Sequence, residues 1–264
     1  MITSKDNQLI KYIKALSQKK YRELNHEYIV EGIKMAKEAI ESEEVSKIIV
    51  CEELFNDSFE KDMDLIKLIE KRGMAHNIEY VSKNVFEHIS DTVTPQGVLV
   101  IAKEKELINN AYSETIFALD NLQDPGNLGT IIRTLDSAGY KDLILSHDTA
   151  EPYNPKVVRS TMGAIFRLKM HRNKNLKEEL TKLKNMGYKI VITSLDTNEY
   201  YYDLNFEEKL VIVIGNESKG VSKEIQDLAD IKIKIPMIGK TESLNAAVAT
   251  SIIAYEGVRR KFVK

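Results

Sequence analysis

The sequence predicts a two-part α/β protein whose second part is built on a mostly parallel sheet. Strand-like and helix-like apolar patterns alternate along nearly the whole chain. Several strand segments after residue 115 are near-continuous Val, Ile and Leu, as expected of strands covered on both faces. Between the two alternations lies KEKELINNAYSE, polar and without apolar period, which reads as a linker over 103–114 between units at 1–102 and 115–264. With 264 residues, each unit is long enough to bury a core of its own.

In the first unit, Gln8 to Leu16 carries a helical apolar stripe, and EYIVEG reads as a strand running into a helix from Ile33 to Ile40. KIIVC is a short buried strand, followed by a helix from Met63 to Lys71 that Gly73 ends. Then come the strand IEYV, the short helix NVFEHI, a turn at TPQG and the strand GVLVIA. In the second unit the strands read TIFALD, DLILS, FRLKM, YKIVITS, KLVIVIG and IKIKIP. Helices are expected at about 128–138, 155–162, 175–186, 221–229 and 244–261. Gly139 and Gly187 stand just past helix ends, where a left-handed cap is wanted.

Composition excludes some classes. No apolar run is long enough to span a bilayer, and the N-terminal stretch lacks the apolar core of a secretory signal, so a cytoplasmic protein without membrane contact is expected. The single cysteine, Cys51, rules out an internal disulfide and reads as a small buried hydrophobe. The five histidines make no metal-ligand spacing, so no metal is expected. The net charge of −2 hides an uneven distribution. Residues 1–22 hold six Lys/Arg against one acid, residues 151–190 ten against three, and the tail from Gly257 four against none, whereas residues 41–70 hold ten acids against three Lys. Such polarity suits one face toward phosphates and another toward solvent; solvated helix faces would give the same runs.

The chemistry concentrates where strands hand over to helices. In DNLQDPGNLGTIIRTLDSAG, Pro125 and Gly126 favour a tight turn, and the following helix buries Leu128, Ile131, Ile132, Leu135 and Ala138. Arg133 lies about 140° around the helix from Leu128 and so points away from the core. Read alone it is a surface arginine, and Asn127 an N-cap. About eighty residues on, IGNESKGV puts Gly215 and Gly220 in a tight loop at a strand end, with Glu217 where it would repel a phosphate. Neither GxGxxG nor GxxxxGK[ST] is present, which argues against a dinucleotide or nucleoside triphosphate. IPMIGKTESLNAAVATS repeats the pattern of strand, glycine loop and a helix opening at Ser243, Leu244 and Asn245, with small residues that allow close backbone approach.

In order and spacing, NLGTIIR, IGNESKG and IPMIGKTESLNAA resemble the three motifs of the SpoU (TrmH-type) RNA methyltransferases of the SPOUT superfamily. The resemblance covers the chain from about Thr115 to the end. It implies an α/β domain tied into a trefoil knot, S-adenosylmethionine as methyl donor and a ribose 2'-hydroxyl of structured RNA as acceptor. The basic start, YIVEGIKMAKEAI and TPQGVLVIA also resemble that family's L30e-like substrate-binding domain. By resemblance, Asn127, Arg133, Glu217, Ser243 and Asn245 fall on catalytic positions. The cofactor is expected near Thr193, Ser194 and Leu195, Ile214, Gly215 and Asn216, Ile235 and Met237, and Ser243, Leu244, Asn245 and Ala246. A homodimer through the knotted domain is implied, although Ala246 and Ala247 depart from the β-branched residue and serine of many members. Ribosomal RNA, 23S first, is the expected substrate and transfer RNA the second. The rivals are a non-catalytic RNA-binding or ribosome-assembly protein on the same fold and a base methyltransferase.

Overall fold

A computed structural model describes residues 1–42, 44–54, 59–105, 112–173 and 175–262. In chain order the elements are α1 (Gln8–Ala15), α2 (Lys19–Asn25), β1 (Glu27–Glu31), α3 (Ile33–Ser42), β2 (Val45–Val50), α4 (Phe59–Lys71), β3 (Ile78–Tyr80), α5 (Lys83–Ile89) and β4 (Val98–Lys103). They continue with β5 (Thr115–Leu119), α6 (Pro125–Ser137), β6 (Asp142–Ser146), α7 (Pro155–Ser160), β7 (Lys169–Asn173), α8 (Leu176–Asn185), β8 (Lys189–Thr193), β9 (Leu210–Ile214), α9 (Lys223–Gln226), β10 (Ile231–Ile233) and α10 (Ala246–Phe262). The chain divides into two compact units, Met1–Glu106 with Glu151–Phe166, and Leu107–Ala150 with Arg167–Lys264. Of the linker expected over 103–114, residues 106–111 lie outside the described residues.

The first unit is a four-stranded sheet in the order β1-β4-β2-β3, with β4 antiparallel to both neighbours and β3 parallel to β2. Ile10 and Ile13 of α1, Leu16 at its C-cap, and Val85, Phe86 and Ile89 of α5 pack against Ile29, Ile49, Leu99 and Ile101 on one face. Cys51 lies in this cluster, where burial raises its thiol above the ordinary range, as fits a small hydrophobe. Residues 151–166, which the sequence places within the second alternation, pack with this unit. The attachment is a buried ion pair: Arg22 donates from Nε to both Glu151 carboxylate oxygens at 3.0 Å, from Nη2 to Oε2, and from Nη1 to the Leu16 carbonyl at 2.7 Å. This pair also explains α2, which its polar sequence does not announce. The helix exists where its one arginine can be buried at 1 % exposure against a carboxylate. Arg159 donates to Asp91 at 2.8 Å as a second tie, and the rings of Tyr28 and Tyr153 meet at 4.5 Å.

The second unit is a six-stranded sheet in the order β10-β8-β9-β5-β6-β7, every pairing parallel. Ile116 and Ala118 of β5, with Val211 and Val213 of β9, face Leu176, Leu180 and Leu183 of α8. On the other face Phe117 meets Tyr140 edge-on at 4.9 Å, and the Tyr140 hydroxyl donates to the Ala254 carbonyl of α10. The strand expected at FRLKM lies three residues later in the chain. Phe166 is buried in a 3₁₀ turn over Ala164–Phe166, and the strand is Lys169–Asn173, in register with Asp142–Ser146. The helix expected at 221–229 shortens to four residues because Asp230 turns back to the sheet, its amide bonded to the Ile190 carbonyl. The last helix begins at Ala246 rather than Ser243, with Asn245 Oδ1 accepting from the amides of Ala247 at 2.9 Å and Val248 at 3.3 Å.

Removing one partner of a buried ion pair strands the other charge, so Arg22→Met is expected to destabilise the first unit by about 3–5 kcal/mol in denaturant unfolding. Arg22→Met combined with Glu151→Leu should recover most of that loss. A second prediction concerns α10. Its Glu256 carboxyl is held down at about 2, chiefly by hydrogen bonding from Arg259, against burial, with Arg260 adding to it. The folded-state value is depressed, so the stabilisation is complete above the ordinary carboxylate value and disappears as pH falls toward 2. Glu256→Gln should flatten the acid limb of stability against pH between about 4.5 and 2.

Candidate active site at the strand ends

Three neighbouring parallel strands, β8, β9 and β5, end side by side, and their exit loops build the site. Beyond β5, the amide of Asp120 bonds the Ile214 carbonyl, and the Asp120 carboxylate accepts from the Ser222 amide at 2.7 Å. Asn121 adopts a left-handed conformation at φ 58°, a strained state for a residue with a side chain. It is held there from two sides: its amide donates to Ser146 Oγ at 2.9 Å, and its carbonyl accepts from Asn216 Nδ2 at 2.7 Å. The first bond ties the loop after β5 to the end of β6, the second to the loop after β9.

The N-cap of α6 is Asp124, not Asn127: Asp124 Oδ1 accepts from the Asn127 amide at 2.7 Å, and Pro125 occupies the first turn. An aspartate three residues upstream satisfies that amide and leaves the Asn127 side chain for other work. Asn127 Nδ2 donates to Glu217 Oε1 at 2.9 Å, and Asn127 Oδ1 accepts from Asn245 Nδ2 at 2.8 Å. One side-chain amide thus joins all three sequence motifs. Arg133, farther along α6, is exposed, and its guanidinium makes no hydrogen bond or ion pair among the described residues.

Beside this chain lies a cavity of about 520 Å³. Thr193, Ser194, Leu195, Ile214, Gly215, Asn216, Ile235, Met237, Ser243, Leu244 and Ala246 line it. Of the positions expected around a cofactor only Asn245 is outside the lining, its side chain turned to Asn127. Glu217 belongs to both the lining and the amide chain; Asn127 and Arg133 are not in the lining. The sequence reading missed Ile233, Ala249 and Ile253, apolar wall residues that read as ordinary core of β10 and α10. It also missed Asp120, Asn121 and Ser146, whose support of the loops is invisible without the strand order. The cavity wall mixes Asp196, Glu217 and Glu242 with Lys219 and Lys234.

The loop over Asn216–Gly220 closes on itself, Asn216 and Gly220 exchanging both backbone hydrogen bonds while Asn216 Oδ1 accepts from the amides of Ser218 and Lys219. This closure requires glycine at 215, where a Cβ would stand 2.2 Å from the Gly220 carbonyl carbon and the Val221 nitrogen.

Comparison with known proteins agrees with this architecture. The SpoU rRNA methylase family model matches residues 114–255, and the MRM3-like substrate binding domain model matches residues 7–100. The chain belongs to the SpoU rRNA methylase family, with an MRM3-like domain preceding the methylase domain. It is 32 % identical over 256 residues to the 23S rRNA (guanosine(2553)-2'-O)-methyltransferase RlmP of Bacillus subtilis, covering 96 % of this chain and 97 % of that one. The crystal structure of an AdoMet-bound rRNA methyltransferase from Sinorhizobium meliloti superposes with a TM-score of 0.86 at 30 % identity, covering 100 % and 98 % of the two chains. A TrmH/SpoU tRNA modifying enzyme of A. aeolicus matches with a TM-score of 0.52 at 35 % identity, over 56 % of this chain and 76 % of its own.

Gly215→Ala is expected to force the 216–221 loop open and to cost about 1–3 kcal/mol of stability. Thermal unfolding together with faster hydrogen exchange at the Asn216 and Gly220 amides would register it.

Proposed function

We propose that this protein transfers a methyl group from S-adenosylmethionine to a ribose 2'-hydroxyl of RNA, with 23S ribosomal RNA as substrate. The carrying observation is the cavity at the ends of β8, β9 and β5, joined through Glu217 to the Asn127–Asn245 chain. Its contents fit the cofactor. Ile214, Ile233, Leu244, Ala249 and Ile253 offer an apolar wall for a flat base, and the carboxylates of Glu217, Asp196 and Glu242, which outnumber the ammonium groups of Lys219 and Lys234, suit a ligand that carries positive charge and no phosphate. When bound, the cofactor supplies an electrophilic methyl group.

A ribose hydroxyl is a weak nucleophile until its proton leaves. Arg133 cannot take that proton, because guanidinium stays charged in proteins. Its part in this reading is to grip an RNA phosphate and stabilise charge developing on the ribose oxygen, with water or phosphate accepting the proton. Ser243 and Asn245 orient ribose and the methionine moiety. Asn127, with its carbonyl and amide both engaged, fixes the orientation of Glu217 and Asn245.

Coverage supports ribosomal RNA as the class. The B. subtilis rRNA enzyme aligns over both units, whereas the A. aeolicus tRNA enzyme aligns over little more than half of the chain. We further propose that residues 115–264 form a trefoil knot and pair into a homodimer, with 103–114 as linker. The half-exposed Val248 and Tyr255, seven residues apart on α10, support such a contact. Among the described residues no helix is long and apolar enough to cross a membrane, and a cytoplasmic location accords with an rRNA substrate.

Calorimetry should detect S-adenosylmethionine binding, and nucleoside mass spectrometry should find the new methyl group on ribose after base release; a methylated base would refute the acceptor. Arg133→Ala should keep cofactor affinity while losing roughly 10²–10³ in single-turnover rate.

A further inference from the structure

Between β8 and β9 the chain carries three consecutive tyrosines that the proposed reaction does not use. The rings of Tyr200 and Tyr202 stack at 5.2 Å with 19° between planes, and Tyr201 meets Tyr202 edge-on at 5.2 Å. Tyr202 is 38 % exposed. The backbone fixes the cluster: Tyr201 donates its amide to the Lys234 carbonyl, Lys234 donates to the Glu199 carbonyl, and Asp203 accepts from the Tyr200 amide. Cations surround the rings. The Lys234 ammonium sits 5.6 Å from the Tyr200 ring centre, and Arg260 donates to the Tyr202 carbonyl. Arg259 shares the same helix end, where the Glu256 carboxylate is already taken by both guanidiniums. Lys234 also lines the cavity of the proposed active site, whereas Tyr200 lines a separate cavity, so the lysine is the residue that the cluster and the site share.

A pre-stacked aromatic pair with one accessible ring, flanked by lysine and arginine, has the composition of a platform for an unpaired base. We infer that Tyr202, stacked on Tyr200 and flanked by Lys234 and Arg260, receives an unpaired nucleotide of the RNA substrate beside the methylation site. This rests on the RNA methyltransferase reading and adds to it a single-stranded element in the substrate. Stacking supplies affinity that no duplex can use, because paired bases do not present their faces.

The test uses the full chain and two probes, a fluorescein-labelled ten-nucleotide oligouridylate and a ten-base-pair RNA duplex, read by fluorescence anisotropy. Tyr202→Ala should weaken oligouridylate binding roughly 5- to 100-fold, Tyr202→Phe should bind as the parent does, and duplex affinity should stay unchanged. Unaltered S-adenosylmethionine binding by calorimetry would show that Tyr202→Ala leaves the neighbouring cavity folded. The inference is overturned by an oligouridylate that the parent protein does not bind, by equal weakening on both probes, or by a Tyr202→Ala variant indistinguishable from the parent. A variant that instead changes sedimentation while holding the oligouridylate normally would also overturn it and assign the tyrosines to a contact between subunits. Because this assay needs neither cofactor nor methyl transfer, failure of the broader functional reading would register in calorimetry and ribose mapping and not here.

Discussion

The candidate site depends on a single side-chain amide. Asn127 donates to Glu217 and accepts from Asn245, residues 90 and 118 positions away in sequence. Each of those bonds is ordinary in strength, about 1 kcal/mol net. Their value is geometric, because an amide with both ends occupied cannot rotate. The supporting bonds follow the same logic: Asn216 to the Asn121 carbonyl, and Ser222 to the Asp120 carboxylate, cross from one strand-end loop to the next. Parallel strand ends leave backbone groups unpaired at one edge of the sheet, and here asparagine and aspartate satisfy them.

The same economy shows in what the glycines permit. At Gly215 no side chain fits against Gly220 and Val221, so the loop folds flat and its wall opens as a cavity. Farther along, Gly257 lets α10 lie against the Tyr140 hydroxyl and the Phe206 ring, where a Cβ would come within 2.3 Å and 2.9 Å. Close approach at these two points holds the residue 200–206 segment and the final helix together, and with them the tyrosine cluster.

Much of this was legible in the sequence, for reasons that can be stated. The strands of the second unit were visible because double-sided burial leaves runs such as LVIVI that no surface helix would carry. The cavity-lining loops were visible because glycine, serine and asparagine cluster after those runs and match the family's motifs. What escaped was non-local. KKYRELN is rich in helix formers but carries no apolar stripe, and its buried residue, Arg22, meets a partner 129 positions away. Asn127 looked like a cap because caps are read from local spacing, and Asp124 satisfied the same amide from three residues earlier. FRLKM looked like a strand because its apolar residues alternate, yet Phe166 and Leu168 are buried around a turn that precedes the strand.

The pairing of Arg22 with Glu151 also bears on synthesis. A ribosome that has made residues 1–103 has made every strand of the first sheet, but not the carboxylate that neutralises its most deeply buried guanidinium. That carboxylate follows only after β5, α6 and β6 have been made. The N-terminal unit therefore cannot finish folding while the nascent chain is short. Its maturation must overlap the birth of the catalytic half, and the two grow up together rather than in turn.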